Sequence, residues 1–466
     1  MLSMTIDGKP AETFETFDVV NPATGKVAAT APECTPAQLD EAMASAAHAF
    51  TTWRTDDGVR RQALRDLADA VEARHDELVA LLVKETGKPL AVAAGEVASV
   101  GPWIRYYAEL EWPHKVIQDD ETALIEVAHR PMGVVAAITP WNGPVGMWSW
   151  KIAPALRGGN TVVLKPSPFT PLSTLLLGEI GASVLPPGVI NIVTGGDALG
   201  KLMTAHPTPR KVSFTGSIGG GRSVAVSAAQ DLKRVTLELG GNDAAIILDD
   251  ADIPVAAATL FAFSMFNCGQ ICCIPKRIFV PSSRYEEVVE AFAAAAAATK
   301  TGDPTDPTTT MGPLTTKPQL DRVSELVADA VDNGARVVAG GKPVEGAGYF
   351  FEPTVFADVA EGFRIVDEEQ FGPAIPLLKY ETVEEAVQRA NATEYGLSGS
   401  VWSKNVARAK AVAEQLECGT AWVNCHAMLP SNAPFSGAKH SGVGVANGED
   451  GLLSFTEQQV VHTARG

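Results

Sequence analysis

The chain has 466 residues, 46% hydrophobic and 20% charged, the balance of a globular protein long enough for roughly two to four domains. Its formal net charge of −18 argues against nucleic acid or an anionic membrane surface as partner. Six cysteines in such a length make no disulfide framework, and Met1–Gly8 carries neither a basic stretch nor an apolar one, so a signal peptide is not expected and a reducing cytoplasm is. The longest apolar run, Ala291–Ala298, is much too short to span a bilayer.

Residues 1–30 read as extended, with Val19-Val20 followed by an Asn21-Pro22 and Gly25 turn. Thr35-Pro36-Ala37-Gln38 then predicts a helix start: an N-cap, proline in the first turn and the glutamine of a capping box. Further helices are expected over Val59–Thr86 and Leu90–Glu109, and a strand over Thr122–Arg130. From Met132 short apolar strands alternate with helices. The strands are Val134–Thr139, Thr161–Lys165, Val189–Thr194, Lys211–Thr215 and Val235–Glu238; the helices between them are Trp148–Arg157, Pro171–Val184, Ala198–His206 and Gly221–Ala229. That alternation predicts βαβ units on a parallel sheet, whose ligands gather beyond the carboxyl ends of the strands. Gly216-Ser217-Ile218-Gly219-Gly220-Gly221 is no G-x-G-x-x-G fingerprint, but its strand–turn–helix setting can offer N–H groups to a pyrophosphate. Beyond Asp243 a second α/β unit follows, with strands at Arg277–Val280, Arg336–Val338, Ile375–Tyr380, Ser398–Trp402 and Thr420–Val423, and a final strand at Glu457–Thr463.

Phe266-Asn267-Cys268-Gly269-Gln270-Ile271-Cys272-Cys273 holds three of the six cysteines after a predicted helix, Val255–Phe266. Cys272 is the candidate nucleophile, since a thiol near a helix terminus or a base can be held as thiolate. Three plainer readings compete. Cysteine is commonly core; Cys268, Cys272 and Cys273 could bind metal, though without paired C-x2-C units or a nearby histidine no metal is expected; and a disulfide does not suit a chain without secretory features.

Seven motifs, in order and at compatible spacing, decide among these. They are Thr139-Pro140-Trp141-Asn142, Leu164-Lys165-Pro166-Ser167, Phe214-Thr215-Gly216-Ser217, Leu237-Glu238-Leu239-Gly240-Gly241, Phe266 to Cys272, Glu368-Glu369-Gln370-Phe371-Gly372-Pro373 and Pro434-Phe435-Ser436-Gly437. Together they resemble the aldehyde dehydrogenase superfamily over nearly the whole chain. The resemblance implies a Rossmann-like cofactor domain, a second α/β catalytic domain and a small β oligomerisation element. On it, 1–111 and 132–240 form the cofactor domain, 112–131 a strand excursion, 241–440 the catalytic domain and 441–466 an oligomerisation tail, with a homodimer or homotetramer expected. It further implies NAD(P)-dependent oxidation of an aldehyde to an acid. Cys272 would form a thiohemiacetal, Asn142 and the Cys272 backbone N–H would hold its oxyanion, and Glu238 would activate the water that hydrolyses the thioester.

Cofactor contacts carried over by the resemblance are Thr139, Trp141, Lys165, Ser167, Gly216, Ser217, Glu369 and Phe371. Pro168 stands where many NAD-preferring relatives have a glutamate that repels a 2′-phosphate, so NAD is expected and NADP use stays open. The matching substrate-pocket positions are Gly143, Met147, Trp150, Phe266, Ile271, His426 and Leu429. They are mostly apolar, with glycine where many relatives carry a larger side chain and without an arginine for a second carboxylate. A simple apolar or aromatic aldehyde is the expected substrate, and a lone histidine such as His426 is more often structural. A CoA-acylating relative and a catalytically silent scaffold of the same fold are the alternatives; Glu238 weighs against the first, and the intact Cys272, Glu238 and Asn142 against the second.

Overall fold

Two largely parallel sheets meet at one seam: the chain passes from the first to the second through the short linker Leu239–Asn242, between strands Arg234–Glu238 and Asp243–Ile247, and returns after Thr420–Val423 to add Gly442–Val443 to the first. A computed structural model describes residues 2–112 and 114–465. The first sheet has eight strands in the order Gly442–Val443, Arg234–Glu238, Lys211–Thr215, Val134–Ile138, Thr161–Lys165, Ile190–Ile192, Met4–Ile6, Lys9–Ala11. Its central strands are parallel, in a register that sets Ile138 beside Lys165 and Thr215 beside Glu238. One edge of the sheet therefore carries Thr139, Lys165, Thr215 and Glu238 together.

The second sheet has seven strands: Arg336–Ala339, Thr354–Ala357, Ala374–Tyr380, Pro275–Pro281, Asp243–Ile247, Ser398–Trp402 and Thr420–Val423. Because the linker is so short, the amino end of Asp243–Ile247 abuts the carboxyl edge of the first sheet. Cys272 and Glu369 precede Pro275–Pro281 and Ala374–Tyr380, so they arrive at the same seam. A third sheet pairs Ala123–Pro131 with Thr456–Ala464 and Lys115–Asp119, all antiparallel.

Local chemistry explains most element boundaries. The helix Pro36–Trp53 opens on the expected capping box, with Thr35 Oγ1 accepting from Gln38 N–H and Gln38 Oε1 accepting from Thr35 N–H. The single helix expected over Val59–Thr86 is two, Asp57–Ala73 and His75–Thr86. Asp76 and Glu77 favour a fresh amino terminus there, and Arg74 leaves helical geometry to pair with Glu77 and Glu179. The helix expected from Trp148 starts earlier, at Pro144, where proline suits the first turn and Glu96 Oε1 accepts from Val145 N–H and Gly146 N–H, both at 3.0 Å. Likewise Ile218–Ala229 begins before Gly221, because Ser217 caps it and the glycines lie inside its first turn. Asp243–Ile247 and Thr354–Ala357 are strands beyond those expected from the sequence. The former is alanine-rich at its start and lies in the middle of its sheet, fully buried, where neighbours rather than side-chain type decide.

Candidate active site

The loop that carries the candidate nucleophile is built on strained backbone. Helix Ile253–Met265 stops at Phe266, and Asn267, Cys268 and Gly269 then run consecutively left-handed, at φ 51°, 57° and 72°. Two non-glycine residues in that region cost about 1–2 kcal/mol each. Gly269 has no substitute, since a Cβ there would lie 2.2 Å from the Gly372 carbonyl oxygen. Side-chain amides offset the strain. Asn267 Nδ2 donates to the Asn142 carbonyl at 3.0 Å, Asn142 Nδ2 donates to the Gln270 carbonyl at 2.7 Å, and Gln270 Nε2 donates to the Asn267 carbonyl at 2.9 Å. Gln270 Oε1 in turn accepts from Thr315 N–H at 2.9 Å. Asn142 is thereby tied to the loop with one amide hydrogen engaged by Gln270 and the other uncommitted to that bond. Beyond it lie Cys272, half-buried, and Cys273, buried like Cys268; all six cysteines are free thiols.

Charge at this seam is unevenly satisfied. A hydrogen bond with the Cys273 thiol and the Lys276 ammonium draw the Cys272 thiol below its ordinary value, against burial and the carboxylates Glu369 and Asp243. Cys273 is pushed the other way, chiefly by the same hydrogen bond, and stays a thiol. Glu238 is buried with neither carboxyl oxygen hydrogen-bonded, and burial, then Cys272, hold its pKa well above the ordinary carboxylate range while Lys151 opposes them. Lys151 is itself buried, donating to Ser213 Oγ at 3.1 Å and Thr215 Oγ1 at 2.9 Å; desolvation lowers its pKa to about 7.

The expected cofactor contacts line the carboxyl edge of the first sheet. Lys165 is buried, its Nζ donating to the Pro166 carbonyl at 3.0 Å, and burial lowers its pKa to about 8 against the carboxylates Asp197 and Glu33. Ser167 is buried beside it, and Ser217 caps the Ile218–Ala229 helix through Gly220 N–H at 3.1 Å. Gly216 packs on Phe214, whose Cζ would lie 2.6 Å from an added Cβ. Thr139 Oγ1, at the same edge, is buried without a protein partner. Across the seam the Trp141 and Phe371 rings meet edge to face at 5.3 Å, and Glu369 Oε1 accepts from Gly241 N–H at 3.1 Å. Strand ends, a capped helix terminus, a buried lysine and an orphaned hydroxyl suit a dinucleotide.

Of the expected pocket residues, Gly143, Met147 and Trp150 share one half-exposed face of the Pro144–Arg157 helix, with Gly146 between them. Trp150 packs with Ile271, Cys272 and Leu429 around Phe435 and Trp422. It stacks on Trp103 at 4.9 Å and 10°, with Phe435 edge-on at 5.9 Å. Phe266 is 46% exposed at the end of its helix. His426 is different: it is fully buried, its Nδ1 2.8 Å from Ser400 Oγ, its Nε2 3.7 Å from Asp243 and its ring 4.7 Å from that of Trp422. Burial lowers its pKa. The structure seats it in packing, with no surface turned to open space.

Residues 9–461 match the model of the aldehyde dehydrogenase family. The chain belongs to that family. It is 40% identical over 457 residues to human retinaldehyde dehydrogenase 3, covering 96% of this chain and 89% of that one. It is 38% identical over 470 residues to betaine aldehyde dehydrogenase of Cereibacter sphaeroides, covering 99% and 97%. Among solved structures, the NAD+ complex of aldehyde dehydrogenase from Bacillus cereus superposes with a TM-score of 0.96 at 37% identity, over 99% of this chain and 96% of that one. The protein is therefore an oxidoreductase acting on aldehydes, with NAD(P) as electron acceptor.

Several residues of this aldehyde dehydrogenase site escape a reading of the sequence. Lys151 has a signal, a lone charge inside Trp148-Ser-Trp-Lys-Ile-Ala-Pro-Ala-Leu156, where a buried amine needs an acceptor. Lys276 and Asp243 carry none, because their partners come from other segments. Glu96 acts only through the helix terminus it caps, which pairing in space alone reveals.

Proposed function

We propose that Cys272 is the nucleophile, Asn142 and the Cys272 backbone N–H the oxyanion donors, and Glu238 the general base of a hydrolytic aldehyde dehydrogenase. The observation that carries this reading is the convergence at one seam of a thiol drawn below its usual pKa, an amide with a hydrogen to spare and a buried carboxyl without a hydrogen-bond partner among the described residues. The Cys272 sulfur forms a bond to the aldehyde carbon, and the carbonyl electron pair moves to oxygen. The two donors receive that charge in a water-poor site, at roughly 3–4 kcal/mol per donor. Bound nicotinamide supplies the hydride acceptor. Cys272 is left holding the acyl group as thioester; Glu238 takes a proton from water as the water oxygen attacks, the C–S bond breaks and the acid departs. Turnover that survives Cys272→Ala, measured as reduced nicotinamide formed across an aldehyde panel, would sink the assignment; loss of at least about 10³-fold is expected.

Lys165, Ser167, Thr139, Gly216 and Ser217 would hold the adenosine and pyrophosphate, with Trp141, Glu369 and Phe371 around the nicotinamide end. NAD is favoured over NADP despite Pro168, because Asp197 and Glu33 keep negative charge facing Lys165. The substrate is an apolar aldehyde with a bulky or aromatic body. Gly143 and Gly146 both have negative φ and meet nothing closer than ordinary contact: a Cβ at 143 would touch Met147 Cγ at 3.8 Å, and one at 146 Glu96 Cγ at 3.6 Å. Neither backbone nor packing requires glycine there, yet the helix bears its cost, about 0.5–1 kcal/mol at Gly146. What the two glycines supply is a helix face free of side chains, on the helix whose Trp150 stacks on Trp103.

The protein is proposed to work in the cytoplasm as a homodimer or homotetramer. Strand Thr456–Ala464 is exposed along nearly its whole length, and Val116, Ile117, Val460 and Val461 stand out from its sheet, an edge that a second copy would cover. Among the described residues no helix is long and apolar enough to cross a membrane.

A further inference from the structure

One buried ammonium joins the nucleophile loop to the carboxylate at the nicotinamide end. Lys276, at the start of strand Pro275–Pro281, has a side chain only 3% exposed. Its Nζ donates to the Cys272 carbonyl at 2.6 Å, the Gly241 carbonyl at 2.8 Å and Glu369 Oε1 at 2.9 Å. An ammonium has three N–H bonds and a neutral amine two, so this acceptor set engages every donor of the charged form. Against burial, Glu369, Asp243 and Cys272 raise its pKa.

The neighbours are shaped to admit this arrangement. A Cβ at Gly240 would lie 2.3 Å from Glu369 Oε2, so only glycine lets the carboxylate fold down onto the linker between the sheets. The Phe371 ring lies 5.7 Å from Nζ and packs in turn on Trp141. Three segments distant in sequence (the inter-sheet linker, the nucleophile loop and the turn bearing Glu369) thus converge on a single cation.

We propose that Lys276 is a positioning residue for the oxidation, fixing the backbone of Cys272 relative to the Glu369 carboxylate that receives the nicotinamide ribose. The proposal rests on the roles given above to Cys272 and Glu369. Charged or titratable groups face the Cys272 thiol from every side: Cys273 on its own loop, Lys276 on the following strand, Glu369 before Ala374–Tyr380, Asp243 at the start of the central strand and Glu238 at the end of the first sheet. Within that set the ammonium favours the thiolate and Glu369 disfavours it, so removing either shifts the thiol in opposite senses.

The test uses the full-length protein, without cofactor, and follows iodoacetamide alkylation of Cys272 against pH, with the site mapped by mass spectrometry. Lys276→Met is expected to move the alkylation midpoint to higher pH and Glu369→Gln to lower pH. Each should weaken NAD binding by roughly three- to tenfold, with binding of AMP, which reaches only the adenosine end, unchanged. An unmoved midpoint in Lys276→Met, or NAD and AMP weakened together, would overturn the proposal. Should Lys276→Met fail to fold, Glu369→Gln decides alone: a midpoint that stays put or rises removes the opposition on which the argument stands. Cys272→Ala separates the underlying reading, since turnover retained there would discard the nucleophile assignment whatever Lys276 does.

Discussion

Two buried lysines approach the seam from opposite sheets, and their surroundings differ sharply. Lys276, on the second sheet, has three strong acceptors, one of them a carboxylate, and its pKa is raised against burial. Lys151, on the helix beside the first sheet, has two hydroxyls and a distant, unbonded Glu238, and burial takes its pKa to about 7. Burial is complete for both; the partners decide. A saturated cation holds geometry, whereas an under-partnered cation and a buried, unpartnered carboxyl are groups whose charge can change during a reaction. On the proposed assignments, the nucleophile side of the seam is thus set, and the water-activating side can titrate.

Glu238→Gln breaks the comparison most severely, because it removes the titrating carboxyl and keeps the shape. Thioester hydrolysis should fall by about 10²–10⁴-fold, while the first burst of reduced cofactor survives. Rapid-mixing kinetics reads both; a burst lost along with the steady state would contradict the base assignment. The sign with pH is fixed by burial. A base must be ionised, and Glu238 is held well above the usual carboxylate range, so the acid limb of the parent lies high and should vanish in the variant. Stability follows the linkage. A folded pKa above the unfolded one contributes stability below the unfolded value and loses it as pH rises, so Glu238→Gln should gain Tm over the parent on the alkaline side.

Removing the other partner is gentler. Charged Lys151 helps Glu238 ionise, so Lys151→Met should move the acid limb upward and slow turnover on the order of tenfold near neutrality. The gap between parent and variant should be widest below about pH 7, where Lys151 is charged, and should close above it. A pH-independent loss would mean that the lysine only packs. On the helix that carries Lys151, Gly146→Leu tests shape instead of charge. It should raise KM for bulky aromatic aldehydes by roughly 10-fold or more, as a few misplaced methylenes do, and spare short aliphatic ones.

The same contrast explains what could be read from the chain alone. The first sheet was legible because its strands are short apolar runs closed by polar punctuation, and Thr139, Lys165 and Glu238 sit where those runs end. Cys272 and Asn142 were legible through the motifs that carry them. What stayed hidden was contact between distant segments. Nothing near Lys276 in sequence announces Gly241 or Glu369, and Asp243–Ile247 is a strand only because Pro275–Pro281 and Ser398–Trp402 flank it. His426 shows the reverse case. Its position in the motif order pointed to the pocket, while Ser400 and Trp422, which no spacing rule links to it, draw it into the core.

Lys165 offers a third case between the two extremes, and the smallest effect. It is buried like the others and its hydrogen-bond acceptor is a single carbonyl; burial lowers its pKa to about 8, against Asp197 and Glu33, which act on it at longer range. If those carboxylates rather than residue 168 disfavour a 2′-phosphate, Asp197→Asn should raise the kcat/KM for NADP relative to NAD by roughly threefold to tenfold, the scale of one partly screened charge. Loss of a like charge should act through KM for NADP and leave kcat with NAD nearly alone. A ratio unchanged in Asp197→Asn and in the double variant with Glu33→Gln would show that the discrimination lies elsewhere, and that only groups in direct contact with a buried lysine set what it does.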